Sequence, residues 1–322
     1  MQASFSAVGE FLRAHQSFTI LSHIRPDGDA YGSTLGLGLC LRAMGKSVTL
    51  YNEDGLTSRF TYLPGCETVA ATPAVAPSRE TQIIAVDTAE MSRLGKTFMG
   101  WRRTPDLNID HHVSNPLYGQ LNVVVSDSPA TAEVLYEIMR ANDLPITPEV
   151  AANLFIGLST DTGSFRYRST TTRSFEVAAA LSAAGADPAT LAQHAYLSYP
   201  ASRFRLLRLL LQTTEFLAED RVCSCTLTPA MYAEAGSCTD DTEGLIEYML
   251  MTESVEVAVM FEEMASGGVR VSLRSRGRID VQKIASLFGG GGHKAAAGIR
   301  TSLPFDSFRS ELLDKIVAAV RQ

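Results

Sequence analysis

The chain has 322 residues, 45% of them hydrophobic and 20% charged, which excludes a disordered composition and leaves room for one or two domains with a sizeable core. Its 28 basic residues stand against 35 acidic ones, a formal net charge of −7; this excludes a coat for long duplex nucleic acid but allows a local basic pocket for a short anion. The N-terminus lacks a basic stretch followed by an apolar core, and no apolar run reaches the roughly 20 residues of a membrane span, so a cytoplasmic protein with no membrane partner is expected.

In chain order, the pattern predicts a strand over 18–21, followed by the motif His23-Ile24-Arg25-Pro26-Asp27-Gly28-Asp29. A helix over 30–44 comes next, in which Gly32, Gly36 and Gly38 allow neighbouring elements to approach closely at some cost in helix propensity. Further strands are predicted over 47–51, over 82–86 (an uninterrupted apolar run that delivers Asp87), over 107–109 (leading into Asp110-His111-His112) and over 121–125. Helices are predicted over 131–140, over 147–158 with Pro148 in its first turn, and over 174–184, closed by Gly185. Strands alternating with helices imply an α/β fold with a mainly parallel sheet and helices on both faces. A break at 187–200 and a helix over 200–211 precede a different texture, with strands over 222–227, 255–260 and 269–273, then a helix over 281–288 and Gly289-Gly290-Gly291-Gly292-His293. The chain is accordingly divided into a catalytic domain over 1–190, a helical linker over 191–213 and a smaller α/β domain over 214–322.

Several of these segments carry metal-ligand chemistry. His23, Asp27 and Asp29 offer an imidazole and two carboxylates, good ligands for a first-row divalent ion; an Asp-Gly turn after a strand is the plainer reading. Asp87 suits a carboxylate bridging two ions, or an N-cap in company with Thr88 and Glu90. In Asp110-His111-His112 the two imidazoles project differently, so one can bind metal while the other faces substrate and Asp110 steadies an imidazole. A polar strand end is the alternative there. Asp161 follows an apolar helix, where a negative charge opposes the helix dipole and so suggests another task. Three of only six histidines lie in these motifs. In the second half, Arg274, His293 and Lys294 offer positive charge, and the glycine run offers exposed N–H groups to an anion; a flexible linker is the alternative. Five cysteines, Cys40, Cys66, Cys223, Cys225 and Cys238, form no CxxC pair and read as reduced, packed thiols. Cys223 and Cys225 alternate on a strand and are expected on opposite faces.

Together, HxxxDxD, a strand-end Asp, DHH and DxG, in that order from His23 to Gly163, resemble the DHH phosphoesterase superfamily. Gly290-Gly291-Gly292-His293 and Ala296-Ala297-Gly298 resemble the glycine motif of its DHHA1 domain, and the resemblance covers almost the whole chain. It implies an N-terminal DHH domain with a mainly parallel sheet, a smaller C-terminal α/β DHHA1 domain, and an active-site cleft between them. It also implies two divalent ions, Mn2+ ahead of Mg2+ or Co2+. His23, Asp27 and Asp87 would hold one ion; Asp29, Asp87, His111 and Asp161 would hold the other, with Asp87 bridging. Asp110 would support an imidazole, and His112 would face the scissile phosphate. Arg274, Ser275, Gly291, Gly292 and His293 would hold the substrate's other phosphate or terminal nucleotide. Family II pyrophosphatases lack this glycine loop, RecJ-type exonucleases are longer, and membrane-bound cyclic-dinucleotide phosphodiesterases carry spans absent here. The short two-domain layout is most similar to the nanoRNase/pAp phosphatase group. That likeness implies hydrolysis of short oligoribonucleotides to mononucleotides and of 3′-phosphoadenosine 5′-phosphate (pAp) to AMP. The alternative is a stand-alone phosphodiesterase for cyclic or linear dinucleotides. A homodimer is compatible with either.

Overall fold

Residues 2–321 are described by a computed structural model, and they divide into two units, Met1–Ser198 and Tyr199–Gln322. In the first, the apolar runs become β1 (Ser17–Leu21), β2 (Ser47–Asn52), β3 (Val69–Ala71), β4 (Gln82–Val86), β5 (Leu107–Asp110) and β6 (Leu121–Val124). All pair in parallel, in the order β3-β2-β1-β4-β5-β6. The order reverses between β1 and β4, and the crevice at the carboxyl ends of such a pair is where open α/β sheets place ligands.

Two helices bring their residues to that crevice. Gly28–Ala43 starts at Asp27, whose Oδ1 accepts the N–H groups of Asp29 and Ala30, an N-cap that fixes the loop after β1. It packs against Pro148–Asp161, which begins with Pro148 in its first turn and a Thr147 cap. Their backbones touch: a Cβ on Gly32 would lie 2.4 Å from the Asn153 carbonyl oxygen. Glycine is therefore required here by packing, and the close approach sets Asp29 and Asp161 on neighbouring helix ends.

The second unit holds β7 (Glu215–Leu217), β8 (Val222–Leu227), β9 (Val257–Glu263), β10 (Val269–Ser275), β11 (Gly291–His293) and β12 (Ala296–Thr301), ordered β11-β12-β10-β9-β8-β7. Only β8 and β9 pair in parallel. One face is closed by Val281–Ser286 and Phe305–Arg321 through Val281, Ile284, Phe308 and Leu312. The other is covered over β8 and β9 by a core that includes Leu206, Leu210, Leu245 and Met249. Residues 191–213 are shared: Leu191 and Ala195 belong to the first unit's core, whereas Leu206, Leu209 and Leu210 belong to the second's.

Some elements escape the sequence pattern. Strands of three residues, such as β3, β7 and β11, are too short to show a period. The glycine run is not a free loop, because Gly291, Gly292 and His293 pair with Gly298, Ala297 and Ala296 as an edge strand. Cys223 and Cys225 do not face opposite sides; residues two apart on a strand share a face, and both are buried in the same core. All five cysteines are unpaired thiols, with Cys238 exposed and the others buried.

Candidate metal centre

The carboxyl ends of β1, β4 and β5 deliver His23, Asp87 and Asp110-His111-His112 to one place. Asp87 lies at the middle. It is buried, with a left-handed φ of +49° that is uncommon for a residue other than glycine, and its N–H is tied to the Ile109 carbonyl. It caps no helix, since the next helical turn, Met91–Leu94, starts after Glu90. Its Oδ2 lies 3.5 Å from His23 Nε2, and its Oδ1 lies 3.6 Å from His111 Nε2. Each oxygen thus faces a different imidazole, as a bridging carboxylate requires.

The other edges of these imidazoles are fixed. His23 Nδ1 lies 2.8 Å from the Ile24 carbonyl, and His111 Nδ1 lies 3.2 Å from the Ser128 carbonyl. A carbonyl only accepts, so in the neutral ring His111 Nδ1 carries the hydrogen and its Nε2 keeps a lone pair for an ion, whereas His23 Nδ1 also lies 3.3 Å from Arg93 Nη2, a donor. Asp27 Oδ2 lies 3.8 Å from His23 Nε2, and Asp161 Oδ2 lies 3.3 Å from His111 Nε2.

Three overlapping donor sets result: His23, Asp27 and Asp87; Asp29, His111 and Asp161; and Asp87, His111 and His112. Within each, the donor atoms lie within 4.8 Å of one another. The donors are carboxylate oxygens and imidazole nitrogens, the set that suits Mn2+, Zn2+ or Mg2+ better than a soft thiophilic ion.

Asp29 is fully buried on the N-terminus of the helix Thr131–Ala141. Its Oδ2 accepts from Thr131 N (2.6 Å), and its Oδ1 accepts from Ala132 N (2.9 Å) and Ser33 Oγ (3.2 Å). Thr131 Oγ1 also donates to Asp87 Oδ1 (3.0 Å), so one helix start anchors both carboxylates. Burial, then repulsion from Asp87 and Asp27, still holds the Asp29 carboxyl well above the usual carboxylate range. Burial and the carboxylates Asp29, Asp27, Asp87 and Asp110 do the same to Asp161. Burial also works against ionised Asp87, but the His23 hydrogen bond and the imidazoles of His23, His111 and His112 outweigh it and hold Asp87 low. The carboxylates of this cluster repel one another, and a divalent cation held there would remove that repulsion.

His112 differs from the other two. Its Nδ1 lies 2.8 Å from Asp110 Oδ1, and Asn115 Nδ2 donates to Asp110 Oδ2 (2.7 Å). The His111 and His112 rings are inclined by 62°. Burial alone would lower the His112 pKa, but the hydrogen bond to Asp110 and the charges of Asp87 and Asp110 raise it.

The sequence reading missed Thr131, Asn115, Ser128 and Ser33. None has a motif spacing of its own, and only the predicted start of a helix near 131 hinted at one of them.

The description "DHH family, N-terminal domain" matches residues 17–158, which include five of these ligand candidates and all of Asp110-His111-His112; "DHHA1 domain" matches 227–322. The chain belongs to the DHH family. It is 35% identical over 318 residues to the bifunctional oligoribonuclease and PAP phosphatase NrnA of Thermus thermophilus, covering 98% of this chain and 93% of that protein. The Bacillus subtilis protein of the same name is 25% identical over 300 residues, covering 86% of each chain. Among solved structures, an exopolyphosphatase-related protein from Bacteroides fragilis has the same fold, with a TM-score of 0.88 at 22% identity over 99% of this chain and 97% of that one. Asp110-His111-His112 lies inside the DHH match, and Gly290 to Gly298 lies inside the DHHA1 match.

In the DHHA1 unit, Arg274 lies on β10 and pairs with Ala296, which pairs in turn with His293. Ser275 points the other way. It is buried, its hydroxyl donates to the Ile279 carbonyl (2.7 Å), and it accepts from Gly277 N (3.2 Å). Gly292 has φ +136°, and a Cβ there would lie 2.4 Å from the Ala296 carbonyl. The geometry thus gives Ser275 and Gly292 work within the fold, whereas Arg274, Gly291 and His293 share an open face.

Proposed function

We propose that the protein is a metal-dependent phosphoesterase that hydrolyses short oligoribonucleotides to mononucleotides and pAp to AMP. The observation that carries this reading is the arrangement of overlapping donor sets around Asp87 in a DHH chain. The Thermus relative, named as an oligoribonuclease and PAP phosphatase, supports the substrate class. In the proposed site, His23, Asp27 and Asp87 hold one ion, and Asp29, Asp87, His111 and Asp161 hold the other, with Mn2+ the first candidate. A RecJ of Thermus thermophilus, whose fold matches this chain at a TM-score of 0.50, was solved with Mn2+.

Bound there, such ions would polarise a phosphoryl oxygen and lower the pKa of an attacking water. The chain's own groups do the rest. Asn115 orients Asp110, and Asp110 holds His112 with Nε2 turned outward and its imidazolium form favoured. His112 then presents positive charge and a proton to the phosphate where negative charge develops. Arg274 and His293 are proposed to grip the phosphate or nucleotide that is not being cut, which lets an acidic protein favour short anionic substrates.

The deciding experiment is a substrate panel with Mn2+: pAp, RNA dimers to pentamers, linear and cyclic dinucleotides, pyrophosphate and single-stranded DNA. Mononucleotide release from RNA dimers to pentamers and AMP release from pAp are expected. Turnover confined to cyclic or linear dinucleotides would replace this reading by the phosphodiesterase one, and no turnover with any substrate would refute both.

A further inference from the structure

Arg93 stands beside the metal centre without a carboxylate partner. It lies on the short turn Met91–Leu94, the first regular element after Asp87, and its backbone is tied on both sides. Its N–H donates to the Glu90 carbonyl (2.9 Å), its own carbonyl accepts from Ile24 N (2.8 Å), and the next residue, Leu94, is buried with Leu21, Ile83 and Phe98. The turn is thus fastened to the loop that carries His23 and Asp27. The Arg93 side chain is half-buried, and its Nη2 lies 3.3 Å from His23 Nδ1. Asp27 and Asp87 both approach the same imidazole, yet among the described residues no carboxylate comes within salt-bridge range of the guanidinium.

The contact with His23 is one that Arg93 cannot keep in an occupied centre. His23 Nδ1 has two neighbours of opposite kind: the Ile24 carbonyl at 2.8 Å, which only accepts, and the guanidinium at 3.3 Å, which only donates. A single ring nitrogen answers one of them. If Nδ1 accepts from Arg93, the neutral ring carries its hydrogen on Nε2, the nitrogen that faces Asp27 and Asp87, and Nε2 has no lone pair for an ion. If Nε2 keeps its lone pair, Nδ1 carries the hydrogen, donates to the nearer Ile24 carbonyl and turns an N–H towards the N–H of Arg93. The second state leaves a half-buried cation with a donor and no acceptor, which is costly. Arg93 also works against positive charge on His23, and it would work against an ion there in the same way. A cation that hinders a cation site calls for an anion that brings the two together.

We propose that Arg93 is a phosphate-binding residue of the first unit: when His23 gives Nε2 to an ion, the guanidinium leaves Nδ1 and donates to an oxygen of the phosphate under attack. Its planar fork of N–H donors matches phosphate oxygens, and a phosphate supplies the negative charge that no carboxylate of the chain offers it. The inference rests on the proposed function and adds to it a determinant of phosphate affinity outside the DHHA1 unit. It gives Arg93 opposite effects on two ligands, weakening the metal ion and strengthening the phosphate. A residue that merely steadied His23 would strengthen both.

Isothermal titration calorimetry of the full chain tests this, with Mn2+ and inorganic phosphate as the probes. Arg93→Met keeps the stem and removes the fork. It should bind Mn2+ at least as tightly as the wild type, while the Kd of inorganic phosphate on the Mn2+-loaded protein rises about tenfold. Arg93→Lys keeps the charge without the fork and should regain part of the loss. In turnover, KM should rise alike for RNA dimers and for pAp in Arg93→Met, because both present a phosphate to the same centre. An unchanged phosphate Kd would overturn the assignment. So would a clear loss of Mn2+ affinity in Arg93→Met, which would make Arg93 a support for His23 instead. If the wild type binds no Mn2+, the proposed function falls and the inference with it; if it binds Mn2+ but phosphate affinity ignores Arg93, the inference alone falls.

Discussion

Asp87 shows how much a single residue's surroundings decide. On paper it is an aspartate after an apolar strand; in the fold its oxygens face two imidazoles whose other nitrogens are fixed by carbonyl groups. Asp87→Asn keeps the shape and removes the charge, and it is expected to lower hydrolysis by more than about 100-fold with loss of bound Mn2+, measured by turnover and metal analysis. Asn115 is a different kind of residue, holding Asp110 rather than an ion. Asn115→Ala should cost about 10–100-fold in kcat while metal content stays at the wild-type level. A drop in metal content in that variant would show that Asn115 supports the ligands instead of His112.

At the scale of elements, the site depends on how closely Gly28–Ala43 packs on Pro148–Asp161. Gly32→Ala places a methyl group 2.4 Å from the Asn153 carbonyl and must push the helices apart. Overpacking of this kind costs about 1–3 kcal/mol, seen as a lower denaturation midpoint, and the displacement of Asp29 from Asp161 should weaken Mn2+ binding as well. A helix that takes no part in the cluster gives the contrast. Thr171 caps Thr172–Ala183 with a reciprocal Ser174 box, so Thr171→Ala should lose about 1 kcal/mol of stability while Mn2+ affinity is retained. Equal effects of the two substitutions on Mn2+ affinity would mean that helix spacing does not control the site.

For the whole molecule, the acidic cluster couples folding to pH and, in the proposed function, to metal. His23 and His112 have raised pKa values, so the stability they lend the metal-free fold is full below the ordinary imidazole value and is lost as pH rises through the raised ones. Asp29 and Asp161 are raised as well, and the fold is weakened as rising pH forces them to ionise. Asp87 is held low, so its contribution is already complete in this range. A divalent ion needs these same groups deprotonated. Between about pH 6 and about pH 8, the Tm of the metal-free protein should therefore fall while the increment produced by Mn2+ grows. At a hundredfold excess over Kd the increment corresponds to about 2.7 kcal/mol. Calorimetry across this range checks it, and an increment that shrinks with rising pH would contradict the assignment of these residues as ligands.

The parallel α/β architecture and the strand ends that bring the candidate ligands together were legible in the sequence because their signals are local. Apolar runs of five residues make buried strands, and His23, Asp87 and Asp110-His111-His112 each sit at a predicted strand end. The glycines of the helix Gly28–Ala43 likewise announced a close neighbour, though not which one. The rest depends on contacts between residues far apart in the chain, and a one-dimensional pattern carries no record of those. Thr131 binding both Asp29, 102 residues away, and Asp87, 44 residues away, arises this way. By itself the sequence determined which chemical groups are available and at which strand ends they emerge, because alternation and turn chemistry act over a few residues. Only the tertiary structure decided which oxygen faces which imidazole and which glycines the fold itself requires, because register and helix packing are settled by the fold as a whole.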